Sequence, residues 1–438
     1  MEVNIDKEFD IVVDTPQAID VSMNVSDRLI EQEKSLTVTK NDNYTIVPDE
    51  GKTLKKIDVE VNVIPVVKGI YRLFNLADDL PYIFDMTGHT ETTMQYFAYD
   101  CWNIKSILKI TNVSNITSVY LCFSGCRSLR SVDVSDWDVS KVTDFSYAFN
   151  QCNSLQSIDV SKWDVSKGTN FNETFCNCYS LQSIDVSKWD VSSAISLSGT
   201  FVACSGLQQI NVSNWNPLNA TLISRVFMNC EALKEINVSN WNTSKATSLF
   251  RIFWNCKSLE SIDVSSWDLS SCIELDGLFY GCDKLKAIDV SNWNTSKVIT
   301  MDYMFSYVKC DLDLSNWDCS NVTSTSGAMW WDYTGHSLIG NHTIEEVEND
   351  EIVCMKGWNT NHHISRAHYL RYSTILAIAK GLPDCTGSET ALFIDYSTGS
   401  WNHMYNDDDT VPDNTTITER QTIIRAICAN KNWTLAVG

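Results

Sequence analysis

"LQSIDVSKW", Leu155 to Trp163, decides how this chain is read. Leu155, Ile158 and Val160 fall in the order L-x-x-L-x-L, the strand of a leucine-rich repeat. Ile158 and Val160 alternate with Ser157, Asp159 and Ser161, so one strand face is apolar and the other polar. The same nine letters return at Leu181 to Trp189. Their tryptophan recurs as Trp137, Trp163, Trp189, Trp215, Trp241, Trp267 and Trp293, at steps of 26 residues, and once more at Trp317 after 24. A cysteine keeps the same beat at Cys126, Cys152, Cys178, Cys204, Cys230, Cys256 and Cys282. A phenylalanine does so from Phe123 to Phe305. Three residue types locked to one period mark a solenoid, in which only stacked neighbours bury each coil's apolar edge. The expected fold is a repeat solenoid: a leucine-rich-repeat parallel β-sheet with short outer helical turns, preceded by a small all-β N-terminal region. The helical turns are inferred from apolar pairs four residues apart, such as Phe145 with Phe149 and Leu249 with Phe253.

The composition narrows the function. A chain of 438 residues has room for two or three domains, and 44% apolar content can bury a core. A net charge of −22 excludes a nucleic-acid binder, which needs clustered Lys and Arg. The charge serves solubility or cation binding on one face. Sixteen cysteines would mean a disulfide framework in a small secreted protein. Here seven form one column, which reads as a buried ladder of reduced thiols. The start, "MEVNIDKEFDIVVDTPQ", lacks a basic segment followed by an apolar run, so no secretory signal is expected. No apolar stretch is long enough for a membrane helix, and no membrane insertion is expected.

The phrase "SLxSIDVSxWDVS", preceded by "FxxC", resembles the 26-residue repeats of the BspA-like leucine-rich-repeat family over roughly residues 97–325. Such repeats occur in bacterial surface proteins and in phages of gut bacteria. "SLTVTKNDNYTIVPDEGKTLKKIDVEVNV", Ser35 to Val63, resembles a short β module of Bacteroidetes (crAss-like) phage virion proteins. "TIIRAICANKNWTLAVG" at the end is similar to the closing cap of such arrays. The resemblance implies adhesion, with no shared catalytic residues and no cofactor. It leads to the expectation of a non-enzymatic virion appendage, assembled in the bacterial host cytoplasm, whose outward array adheres to host-surface or gut glycans or proteins. A bacterial cell-surface adhesin is the alternative, and a polysaccharide-degrading enzyme the second. An adhesin needs an export signal, which separates the first two.

Four regions are expected. Residues 1–65 form a β-rich attachment and oligomerisation region, pairing with other virion proteins as a homo-oligomer, taken as a trimer. Residues 66–125 form a leading cap and degenerate first repeat, with Phe97 on the beat and Cys101 one residue out of phase. Residues 126–325 are the regular repeats, and 326–438 an α/β cap. In that cap, "YSTILAIAKGL" and "ERQTIIRAICANK" have helical spacing, each followed by a strand candidate, "ALFIDYS" and "WTLAVG".

The candidate ligand-binding residues are Asp133, Asp159, Asp185, Asn211, Asn237, Asp263 and Asp289, one per coil on the polar strand face, with a serine two residues after each. Carboxylates one strand apart offer Ca²⁺ ligands or sugar hydrogen-bond acceptors. The competing reading is a solvated face that a repeat carries along whether used or not. The tryptophans sit at the corner after the strand, where a structural spine fits better than a glycan platform. Other aromatic candidates are Trp330, Trp331 and Tyr333, and the loop with Trp401, His403 and Tyr405. His362, His363 and His368 near Cys354 lack zinc spacing, and Asp407 to Asp409 lack the glycine and glutamate of an EF-hand, so no metal is expected.

Overall fold

In the computed structural model of the protein, residues 92–111 and 113–323 are described throughout, and elsewhere only the elements below with residues 339, 342, 349, 382 and 431. The chain divides into two compact units, Met1–Asn214 and Trp215–Gly438.

In the first unit, β1 (Phe9–Val12), β2 (Val21–Met23), β4 (Thr45–Val47), β6 (Val66–Lys68), β7 (Tyr82–Asp85), β8 (Ser106–Thr111) and β9 (Ser131–Val132) form one sheet in the order β2-β1-β4-β6-β7-β8-β9. A separate pair is β3 (Thr37–Val38) with β5 (Asp58–Val59). β1 pairs antiparallel with β2 and β4, and the pairings from β4 to β9 are parallel. Pairing continues across Pro65, with Thr45 opposite Val66. Farther along the same unit, β10 (Ser183–Ile184) pairs in parallel with β11 (Gln209–Ile210).

Each coil has two inter-coil ladders. The first is the strand of the quoted motif, whose pairs lie one period apart, Ile184 opposite Ile210. The second runs through single bridges, Ser118 to Asp144, Asp144 to Asn170 and Asn170 to Ser196. Ile158, Val160, Trp163, Val165, Phe171, Phe175 and Cys178 are buried, whereas Ser157 and Asp159 are exposed. Interior volumes compensate within a coil. Phe145 faces Ala148 three residues on, and Phe171 faces Thr174; in the second unit the corresponding pairs are Leu249 with Ile252 and Leu275 with Leu278, all buried. A large first partner requires a small second one at close-packed density.

The outer segment is not helical, which corrects the expectation of helical turns. Tyr147 and Gln151 have φ of 56° and 58°, and Glu173 and Asn177 have 51° and 62°. Two left-handed residues per coil break any right-handed helix. The segment is a ribbon of turns closed by bonds from Ala148 N to Phe145 O and from Cys152 N to Phe149 O. Alternate amides point to the next coil: Phe145, Tyr147, Phe149 and Gln151 donate to the carbonyls of Asn170, Asn172, Thr174 and Cys176. The four-residue spacing of Phe145 and Phe149 is therefore the period of this ribbon.

The first coil also differs from its expected phase. Cys101 N donates to Ala98 O as Cys126 N donates to Phe123 O. The Cys126 thiol donates to Ala98 O at 3.0 Å, the place Phe123 O takes for Cys152. Cys101 thus sits in the cysteine column and Ala98 in the phenylalanine column. Phe97 is the residue out of phase, packing edge-on against Phe84 and Phe123.

In the second unit, β12 (Glu235–Ile236) pairs in parallel with β13 (Ser261–Ile262), and bridges run from Leu222 through Ser248 and Glu274 to Thr300. In its shortened last coil Val308 takes the cysteine position, its amide donating to Phe305 O. Then come α1 (Ile344–Glu348), β14 (His362–Ser365), α2 (Tyr372–Gly381), β15 (Ala391–Asp395), α3 (Asn414–Asn430) and β16 (Thr434–Val437). β14, β15 and β16 form a parallel sheet in that order. Two lysines cap the helix C-termini, where carbonyls lack partners. Lys380 Nζ donates to Val347 O and Glu348 O of α1, and Lys431 Nζ to Lys380 O of α2 and to Leu382 O just after it.

Candidate functional site

The Asp/Asn column on the strand face is first of all a turn. Asp159 Oδ1 accepts from the Ser161 amide at 3.0 Å and from the Ser161 hydroxyl at 2.7 Å. The pattern repeats at Asp133, Asp185, Asn211, Asn237, Asp263, Asp289 and Asp313 with the serine two residues on. This is an Asx turn, which needs one side-chain carbonyl oxygen and no charge. Aspartate and asparagine therefore interchange along the column, and the serine comes with them. A second set lies after the tryptophan, where Asp138, Asp164, Asp190, Asn242, Asp268, Asn294 and Asp318 accept from the amide two residues on.

These bonds stabilise the ionised form. The Ser161 hydroxyl and then its amide hold the Asp159 carboxyl below the ordinary range, and Ser187 does the same for Asp185. Asp138 and Asp164 are lowered by Ser140 and Ser166. The second carboxylate oxygen of each column aspartate is not needed by the turn. The column is exposed from Asp159 to Asn211 in the first unit and from Asn237 to Asp289 in the second. Among the described residues no group of three or more His, Cys, Asp or Glu is arranged to hold a metal ion.

In the second unit the column runs into a groove of about 1010 Å³. Its floor is the strand face of three successive coils, with Asp263, Asp289 and Asp313 in line and the edges of Ile262, Ile288 and Leu312 between them. On one side stand His342 and, from α1, Glu346. His342 Nε2 lies 3.8 Å from Asp313 Oδ2, and its Nδ1 lies 3.6 Å from Glu346 Oε2. The buried Val347 anchors the helix. Lys286 at the rim is drawn to Glu260, 2.5 Å away. The sequence reading missed Lys286, His342 and Glu346. The i,i+4 spacing of His342 and Glu346 was the available signal; their approach to Asp313 had none.

The tryptophans are inside. All eight from Trp137 to Trp317 are buried. In the first unit Trp137, Trp163 and Trp189 stack at 6.1 and 6.3 Å, and in the second Trp241, Trp267 and Trp293 stack at 6.0 and 6.2 Å. Several indole N–H groups reach back one coil, Trp163 Nε1 donating to Val134 O, Trp189 to Val160 O, Trp267 to Val238 O and Trp293 to Val264 O, whereas those of Trp137 and Trp241 are buried without an acceptor among the described residues. The column cysteines act alike. The Cys152 thiol donates to Phe123 O, Cys178 to Phe149 O, Cys256 to Phe227 O and Cys282 to Phe253 O. Among the described residues fourteen cysteines are buried outside any disulfide. Burial raises the column thiols well above the ordinary value, and Cys319 to about 12. Buried thiols of that kind are unreactive.

Trp330, Trp331, Tyr333, Trp401, His403, Tyr405, Cys354, His368 and Asp407 to Asp409 lie outside the described residues, as do the side chains of His362 and His363. Among described surface groups, the sequence reading also missed an aromatic cluster in the second unit. The Arg251 guanidinium lies 4.3 Å over Trp254, whose ring stacks on Tyr280 at 3.8 Å.

A family model described as "Mycoplasma protein of unknown function, DUF285" matches three consecutive stretches, residues 92–185, 183–262 and 247–366. No curated protein matches the chain. The three stretches run over the regular repeats, in keeping with the BspA-like character, and lend no support to a phage virion module.

Proposed function

The chain belongs to this DUF285 family of BspA-like repeats, and on that premise we propose that it is a non-catalytic adhesin of a bacterial surface. Its partner engages the polar strand face. One observation carries this reading: successive coils turn equivalent strand positions outward, as with Gln156, Ser157 and Asp159, then Gln182, Ser183 and Asp185. A repeated polar face on a rigid apolar stack suits binding to an extended partner, because weak contacts sum along it. The virion reading is set aside, since the family match favours the adhesin. Residues 1–65 take the role of attachment, because β2 ends the seven-stranded sheet and, among the described residues, pairs only with β1, which suits a partner strand.

The test is adherence. Beads carrying the full chain are applied to arrays of extracellular proteins and polysaccharides, with released sugar measured alongside. Saturable retention without depolymerisation is the expected result. Steady release of reducing sugar, or retention no greater than that of uncoated beads, overturns the reading.

A further inference from the structure

We propose that the groove between the last three coils and α1 binds a basic, extended peptide segment, with arginine or lysine at alternate positions. The inference rests on the adhesin reading and names the chemistry of one partner. The groove is an open depression with His342 and Glu346 on one side. Its floor mixes the edges of Ile262, Ile288 and Leu312 with the column carboxylates. Such a floor offers apolar contact for a peptide backbone and the stems of long side chains.

Charge decides the occupant. Asp263, Asp289, Asp311, Asp313 and Glu346 line the groove, against Lys286 and His342. Lys286 is paired with Glu260, and His342 lies between Asp313 and Glu346. Asp263 and Asp289 each use Oδ1 in the turn to Ser265 and Ser291. The turn leaves the second oxygen of each free of the serine, in residues that line the groove. Carboxylates on neighbouring strands stand about 5 Å apart, and alternate side chains of an extended peptide about 6.8 Å apart. Flexible arginine and lysine side chains span that mismatch. An acidic or neutral segment would leave these oxygens unpaired, whereas a guanidinium matches carboxylate geometry. The net charge of −22 draws the same partners from a distance.

The column supplies its own conservative substitution, since Asn211 and Asn237 make the same turn as the aspartates. Asp263→Asn with Asp289→Asn removes charge from the groove and keeps the fold. The control is Asp159→Asn with Asp185→Asn, which removes the same charge from the same column elsewhere. The probe is a fluorescein-labelled peptide of alternating arginine and serine, followed by anisotropy with the full chain. Binding is expected to weaken as salt rises. It should weaken about tenfold in the groove variant, as for the loss of two exposed ion pairs, and stay unchanged in the control. Equal weakening in both variants, or no weakening in the groove variant with its melting temperature unchanged, overturns the proposal. Tighter binding of a glutamate–serine peptide overturns it too. The two readings fail separately. Bead adherence unaffected by the groove substitutions sinks the peptide site and leaves the adhesin. Peptide binding without bead adherence does the reverse.

Discussion

The tryptophan at the corner of the coil can do two things at once. It fills the interior, and its indole N–H can satisfy a carbonyl of the coil before. Trp267 stacks between Trp241 and Trp293 and donates to Val238 O at 3.2 Å. Trp267→Ala is expected to cost about 3–5 kcal/mol, as for a large aromatic removed from a core. Trp267→Phe keeps an aromatic ring and removes one of two donors to the Val238 carbonyl, the other being the Trp241 amide, so chemical denaturation should put that part of the loss at no more than about 1 kcal/mol. The periodic tryptophan was legible as a spine because no exposed role requires one in every coil. The aspartates were less legible. Their spacing is the same for a ligand ladder and for a turn, and only the Oδ1-to-serine geometry separates the two. The turns have a consequence for pH. Asp138, Asp159, Asp164 and Asp185 have folded pKa values below their unfolded ones. Their contribution is complete above the unfolded value of about 3.9 and is lost as pH falls through the folded values. The melting temperature should therefore fall as the pH drops below about 4. Asp159→Asn with Asp185→Asn should make that fall shallower, and an unchanged slope would count against the turns as its source.

At the scale of the coil, the turn ribbon is the element the sequence concealed. Apolar residues four apart occur in helices and in this ribbon alike. What distinguishes them is the pair of left-handed residues, and its trace is the residue before the column cysteine. Asn177, Asn229, Asn255 and Gly281 hold that place at positive φ. Asparagine and glycine are the types that tolerate it. The other left-handed position is sharper at Gly277, where φ is 61°. A Cβ there would lie 2.3 Å from Cε3 of the Trp254 ring. Gly277→Ala should cost about 1–2 kcal/mol from the backbone alone. It should also displace Trp254 from Tyr280, which tryptophan fluorescence would report. Inside the coil, the volume trade gives a second expectation. Phe171→Leu leaves space beside Thr174, whereas Thr174→Ile crowds Phe171 and removes hydroxyl bonds to Phe145 O and Phe171 O. Each change is expected to destabilise by about 1–3 kcal/mol. Together they reproduce the Leu249 and Ile252 pairing of another coil, so the double variant should lose about 1 kcal/mol less than the sum. Strict additivity in a denaturation cycle would refute the trade.

At the scale of the molecule, the repeat was legible because it is written in letters, and the ends were not because terminal coils break the pattern. The slip that places Ala98 and not Phe97 in the phenylalanine column is one residue long. Only the inter-coil bonds of Ala98, Cys101 and Cys126 reveal it. The parallel pairing of β4 with β6 across Pro65 had no periodic signal at all. The regular coils, by contrast, make a quantitative commitment. If stability is a sum of coil and nearest-neighbour terms, a whole period can be removed and the new neighbours will meet as the old ones did. Deleting residues 146–171 joins Phe145 to Asn172. The backbone supports the junction, since Ser146 O accepts from Leu121 N as Asn172 O accepts from Tyr147 N. After the deletion, Leu121 N meets Asn172 O in place of Ser146 O, and the aromatic columns keep their order. Deleting residues 146–158 removes half a period. It sets the strand of one coil against the turn ribbon of the next, and every apolar column loses register. The first variant should melt cooperatively at a modestly lower temperature, with unchanged near-ultraviolet circular dichroism per tryptophan. The second should lose its cooperative transition. A half-period deletion that melts like the parent, or a full-period deletion that does not fold, would show that the coils are not interchangeable units.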